Sequence, residues 1–175
     1  MLEAVLRRDL PSVLAFVDPQ VRVGFGGDGG HNAFTNSFGL DKVESNGWQT
    51  LEFVLRHGGR LEKGTSFYAP YMWNLPQIPD PENWVVAFED QTPLRMMPNS
   101  DAKVVGEARR EIVQLIESRW PQSDNTVKEP WFRIRTTDGK EGWVPKTAIY
   151  TGYDLRLGFS LRQGQWVVDL VASGD

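Results

Sequence analysis

The chain has 175 residues, a net charge of −4 at pH 7, 40% hydrophobic and 24% charged residues, and a pI of about 5.3. That is one ordinary globular domain or two small ones, with enough chain to bury a core. Lys and Arg are scattered beside acids, as in "RRE" and "KEGWVPK", which excludes a nucleic-acid footprint; the lack of cysteine excludes a disulfide framework, a thiolate metal site and a Cys nucleophile; and no apolar run approaches the roughly 18 residues of a spanning helix.

The opening "MLEAVLRRDLPSVLAFV" places Leu2, Val5, Leu6, Val13, Leu14 and Val17 at helical spacing. Pro11 breaks the pattern, and Asp9 is the expected N-cap of a second piece with Pro11 in its first turn. A turn at Asp18-Pro19 and alternation at Val21, Val23 and Phe25 predict a short strand. "GFGGDGGHNAF" follows, a strand-to-helix connection, and His31 to Phe38 predicts a short helix with Phe34 and Phe38 on one face. "ESNGWQTLEFVLRHGG" predicts a helix capped by Ser45 or Asn46, apolar at Trp48, Leu51, Phe53, Val54 and Leu55, and stopped by Gly58-Gly59. "GRLEKGTSFYAPYMWNLP" reads as a hairpin or extended segment, and the Pro-rich "PQIPDPEN" as the domain boundary.

From Trp84 the character changes to short strands. "WVVAFE", "TPLRMMPNSDAKVVGEA" and "EIVQLIESRW" are strand-rich. "WFRIRTTDGKEGWVPKTAIY" predicts a hairpin around Asp138-Gly139, and "YDLRLGFSLRQGQWVVDLVASGD" a second one turning at Gln163-Gly164. Seven Trp and nine Phe point to a core built from large rings, with exposed aromatic platforms as the alternative.

Three groups of residues could carry chemistry. The glycine loop does not match a phosphate loop, since neither Lys nor Ser/Thr follows its last glycine, and it offers one carboxylate, Asp28, where hard cations want several oxygens. Its glycines answer a backbone need for positive φ, while Asp28 and His31 keep a small polar site open as an enzyme reading. His31 and His57 are the only histidines; they lack HExxH-type spacing, and His57 sits at a helix end where its charge suits the dipole. "FYAPYMWNLP" gathers Phe67, Tyr68, Tyr71, Met72 and Trp73, either as a seam or as stacking faces for sugar or peptide. No metal or cofactor is expected.

Residues from about Val85 to Tyr150 resemble the bacterial SH3-like domain. The resemblance is carried by "PLRMMPNSDAKVVGEA" and "WFRIRTTDGKEGWVPKTAI": Arg95, Pro98-Asn99-Ser100, Val104-Val105-Gly106, then Trp131, Ile134, Gly139, Gly142, Trp143 and Val144. The sequence departs from the family at Met97, where a small residue is usual, at "RRE", which lacks the turn glycine, and in the longer link "ESRWPQSDNTVKEP". Independently, five or so short strands with glycine turns suit a small barrel. Trp131 and Trp143 are then either its core or one wall of a groove. The two ends, "LRRDLPSVLAFVDPQVRVGFGGDGGHNAF" and "FSLRQGQWVVDLVASGD", look like pieces of uncharacterised bacterial envelope proteins that carry this domain. They also resemble, loosely, the ends of the nuclear-transport-factor-like cone fold, whose curved sheet the length before Trp84 is too short to supply.

The expected fold is α+β: a helix-rich N-terminal part over 1–83, an SH3-like small β-barrel over 84–150, and a C-terminal β-hairpin over 151–175 packing back on the N-terminal part. The resemblance implies a non-enzymatic binding module of the bacterial envelope, periplasmic or secreted after removal of an export signal, with the cytoplasm as the alternative. Its implied partners are cell-wall peptide, peptidoglycan glycan or an envelope protein, and the contact surface is placed near Trp120, Trp131, Trp143 and Tyr150. Neither nucleic acid nor a membrane-spanning segment is expected. The alternatives are a small enzyme using Asp28 and His31, and a secreted inhibitor or immunity protein whose negative charge suits a basic enzyme.

Overall fold

The computed structural model describes residues 1–26, 29–62, 64–73, 75, 80 and 82–174. The chain divides into two compact units, one of residues 1–73 with 153–175 and the other of residues 74–152. Most of the Pro-rich run read as a boundary (Pro76 to Pro79, and Pro81) lies outside the described residues.

In the first unit, helices α1 (Leu2–Leu6) and α2 (Leu10–Leu14) form the broken pair that the sequence predicts. Asp9 caps α2, accepting from Ser12 N at 3.2 Å and from Ser12 Oγ at 2.6 Å; these bonds hold its carboxyl below the usual range. Strand β1 (Val17–Val23) follows, then α3 (Gly30–Phe38), whose Phe34 and Phe38 rings pack 5.2 Å apart, and α4 (Asn46–Arg56), capped by Ser45 Oγ accepting from Gly47 N. The short strands β2 (Arg60–Glu62) and β3 (Ser66–Ala69) pair as a hairpin. The last strands, β11 (Arg156–Arg162) and β12 (Gln165–Ala172), turn on Gln163 and Gly164, both at positive φ (50° and 84°) as a two-residue primed turn demands.

The wiring corrects the expected fold class. The chain is mainly β, with 38% of its described residues in strands and 20% in helices, and it holds two sheets. The final hairpin does not simply lie against a helical part. It occupies the middle of a five-stranded sheet, β1-β12-β11-β3-β2, in which β12 runs parallel to β1 and β11 antiparallel to β3. The reason is backbone satisfaction: β1 and β3 are separated by two helices and need hydrogen-bonding partners that the N-terminal stretch alone does not provide. The N-terminal and C-terminal strands are thus neighbours, with Val17 opposite Val168. Under the sheet lies one core of Val5, Val13, Val21, Phe34, Leu51, Val54, Leu157 and Val168. Helical spacing also overran at its end, because Val17 already belongs to β1.

The second unit carries β4 (Trp84–Ala87), β5 (Thr92–Arg95), β6 (Val104–Ala108), β7 (Glu111–Arg119), β8 (Trp131–Arg135), β9 (Glu141–Pro145), a 3₁₀ turn (Lys146–Ala148) and β10 (Ile149–Tyr150). Their order is β10-β4-β7-β8-β9-β5-β6. This corrects the small barrel of five or so strands: seven strands form one sheet whose ends are β10 and β6. The unit has its own core, centred on Val85, Leu94, Val113, Phe132, Ile134 and Val144.

The β8–β9 hairpin bends at Asp138-Gly139 as the sequence indicates, with Gly139 at φ 83°. Thr136 Oγ1 donates to Asp138 Oδ1 at 2.5 Å, and Lys140 Nζ lies 2.6 Å from Asp138 Oδ2. Lys140 and Thr136 hold the Asp138 carboxyl down at about 2, against an ordinary 3.8. A carboxyl depressed in the folded state stabilises above its unfolded pKa, and the contribution is lost as pH falls through its folded one. The expected result is that Asp138→Asn removes a component of acid destabilisation between about pH 4 and about pH 2. A carboxyl titration by NMR with its midpoint near 4 would contradict this assignment.

Candidate functional site

The four aromatic residues expected to form a contact surface lie in different surroundings. Trp131, at the start of β8, and Trp143, in β9, are buried with Val127 in a small cluster, and the Arg119 guanidinium stacks 4.8 Å over the Trp143 ring. Tyr150 is buried in β10 opposite Val86. Trp120 is 39% exposed, its ring edge-on to Phe132 at 5.9 Å. Of the four, only Trp131 lines the groove described next.

That groove has a volume of about 270 Å³. One side comes from β5 and the segment before it, with Glu89, Gln91, Thr92, Pro93 and Arg95. The other comes from the link before β8, the end of β9 and the 3₁₀ turn, with Glu129, Trp131, Pro145 and Ala148. The local sequence explains these walls. Pro93 and Pro145 sit at strand positions that leave no N–H to pair, and they offer flat apolar faces. Trp131 starts its strand, where one side of its ring is held by Val127 and Trp143. Arg95 Nη1 donates to Ala102 O at 2.8 Å, which fixes the guanidinium against the β5–β6 turn.

Thr92 is the unusual member. It is 2% exposed, and its Oγ1 is buried with no hydrogen-bond partner. An orphaned hydroxyl costs about 1–3 kcal/mol, so buried polar atoms are normally paired. Sequence reasoning missed it because a threonine in a strand is unremarkable. It pairs with Ala108 of β6, a neighbour that "QTPLR" does not announce.

In the first unit, His31 Nε2 bonds to Val17 O at 2.9 Å. The carbonyl accepts, so Nε2 carries the proton and ties α3 to β1. Asp28, its partner in the enzyme reading, lies outside the described residues. His57 Nδ1 donates to Phe53 O at 2.8 Å beneath the end of α4. Among the described residues no group of three or more His, Asp or Glu could hold a metal ion.

The "FYAPYMW" aromatics are divided between neighbours within this unit. Phe67 packs on Phe159 and Trp166, at 5.5 and 6.1 Å, and Tyr68 on Trp73 at 4.5 Å. Trp73 also lies under the Arg156 guanidinium at 4.8 Å, with Phe25 at 5.7 Å. Arg156 is 7% exposed and donates to Gly174 O at 3.2 Å. This arginine was not singled out by the sequence, since a basic residue in "DLRLGF" fits an ordinary surface strand.

Comparison with protein-family models, curated proteins and solved structures finds no match to the chain.

Proposed function

We propose that the 74–152 unit is a non-enzymatic binding module of the bacterial envelope, taking cell-wall peptide or glycan, or a segment of an envelope protein, in the groove beside Trp131. The envelope setting rests on the SH3-like resemblance of the "W…DGKEGWV" segment. The observation that carries the binding reading is the groove itself, whose walls bring together Trp131, two prolines and the exposed carboxylates of Glu89 and Glu129. A ligand seated in the groove covers the exposed Pro93 and meets the Glu89 and Glu129 carboxylates, with the buried Trp131 holding the wall in place. Concave, mostly apolar sites with a few convergent polar groups are where ligands bind.

Thr92 and Trp131 provide a paired test, a buried control and a groove wall. Thr92→Val keeps the shape and removes the hydroxyl. It should raise the unfolding free energy by about 1 kcal/mol, because an unsatisfied buried group is gone, and leave ligand binding unchanged, because the hydroxyl has no surface open to the groove. Trp131→Ala should weaken binding by about 30-fold or more, as loss of a buried aromatic anchor does. The assay is retention of the full chain on insoluble peptidoglycan, with soluble muropeptides as competitor, and crosslinking to envelope proteins in parallel. Retention by neither route, or retention of Trp131→Ala equal to that of wild type, would contradict the reading.

A further inference from the structure

The arginines of the 74–152 unit are ion-paired with one exception. Arg109 meets Glu107 at 3.1 Å, Arg110 meets Asp90 at 3.0 Å, Arg119 meets Glu117 at 2.9 Å, and Arg133 and Arg135 share Glu141 at 2.8 and 2.6 Å. The exception is Arg95, which lines the groove and meets no carboxylate among the described residues. It is half-buried, and its Nη1 donates to Ala102 O at 2.8 Å. The guanidinium is therefore held in place while its remaining N–H donors have no acceptor among the described residues.

Two carboxylates at the same groove also lack a cation. Glu89 and Glu129 are exposed on opposite walls, and neither has an ion-pair partner among the described residues. Asp90, next in sequence to Glu89, is by contrast paired with Arg110. One guanidinium and two carboxylates thus border a concavity of about 270 Å³ without an ion pair between them.

These walls specify a ligand. A fixed guanidinium takes a carboxylate in a fork of hydrogen bonds. An ammonium has three donors, enough to reach carboxylates on both walls. Pro93 and Pro145 offer apolar faces that suit the methylenes of a long side chain. Sites for drug-sized ligands occupy about 300–1,000 Å³, so this groove takes one or two residues of peptide. We infer that its ligand is a short peptide carrying both a free carboxylate and a side-chain amine, the carboxylate on Arg95 and the ammonium between Glu89 and Glu129. The inference rests on the groove being a binding site, and it selects peptide among the ligands named for it. A glycan strand stripped of peptide offers no ammonium.

The test is NMR titration of the full chain with synthetic muropeptides ending in lysine. One has a free side-chain amine and a free terminal carboxylate, one is acetylated on the amine, and one is amidated at the terminus. Peptide-free glycan strands are the fourth ligand. Amidation should weaken binding at least about tenfold, the scale of a lost charged hydrogen bond. Acetylation should weaken it about fivefold, less because the glutamates are exposed. Arg95→Gln should weaken the free peptide as amidation does and leave the amidated one unaffected, and Glu129→Gln should stand in the same relation to acetylation. Arg95→Lys, which keeps the charge, should recover part of the binding lost in Arg95→Gln. The comparison among peptides uses the wild-type chain, so it holds whatever the variants do to folding. Equal affinity for the three peptides, or glycan strands binding as well as the free peptide, would overturn the ligand assignment and leave the groove as a site. Binding of none of the four would overturn the groove reading and the assignment with it.

Discussion

Gly47→Ala should lower the unfolding free energy by about 3 kcal/mol, at the upper end of what overpacking costs, although alanine is a better helix former by about 1 kcal/mol. Gly47 is in the first turn of α4, where its Cα approaches the last residue of α3. A Cβ built there falls on Phe38 O, with Phe38 C and Cβ both at 2.7 Å. The obstacle is backbone rather than the far end of a movable side chain, so relief requires the two helices to part. Phe38 and Trp48 beside the contact are both core residues. Ser45 Oγ also bonds to both Phe38 O and Gly47 N, so the same displacement strains the cap. Urea unfolding measures the effect. Thr50→Ala, on the exposed face of the same helix, should be neutral or stabilising by a few tenths of a kcal/mol. If Gly47→Ala behaved like Thr50→Ala, the close approach of α3 and α4 would be wrong.

The second large effect is at Arg156. Its guanidinium stacks on Trp73, faces Phe25 and donates to Gly174 O, so one side chain joins the start of the glycine loop, the aromatic segment after β3 and the end of the chain. Cation–π contact in a desolvated place is worth about 2 kcal/mol, and a charged hydrogen bond about 1.5–3 kcal/mol. Relief of the buried charge offsets part of this. Arg156→Ala should therefore cost about 3 kcal/mol, and Arg156→Lys about 2 kcal/mol, because an ammonium lacks the planar face that stacks on an indole. Equal stability of wild type and Arg156→Lys would show that the planar stacking contributes nothing.

Local structure was legible where residue chemistry acts over a few positions. Asp9 and Ser45 announce their helices, Gly58-Gly59 end α4, and Gln163-Gly164 turn the last hairpin, because capping and positive φ are local demands. Sheet membership was not legible. Nothing near Val17 names Val168 as its neighbour, and a hairpin that packs on helices has much the same pattern as one that enters a sheet. Whether Trp143 belongs to the core or to a groove wall was not legible for a related reason. Gly142, Trp143 and Val144 are all buried, so β9 has no alternation from which a solvent side can be read. Of the groove, Trp131 was visible as an aromatic at a strand start, whereas Thr92, Glu129 and Pro145 come together only through the register of β5, β8 and β9.

The groove beside Trp131 is the central claim, and the most direct measurement is a ¹H–¹⁵N NMR titration of the full chain with a soluble muropeptide. The expected shifts cluster at the Trp131 indole and at the amides of Thr92, Glu129 and Ala148, and Trp131→Ala reduces those of the three amides while Thr92→Val leaves them in place. Saturating shifts centred on His31 and the glycine loop, with Thr92 and Trp131 unmoved, would contradict the account.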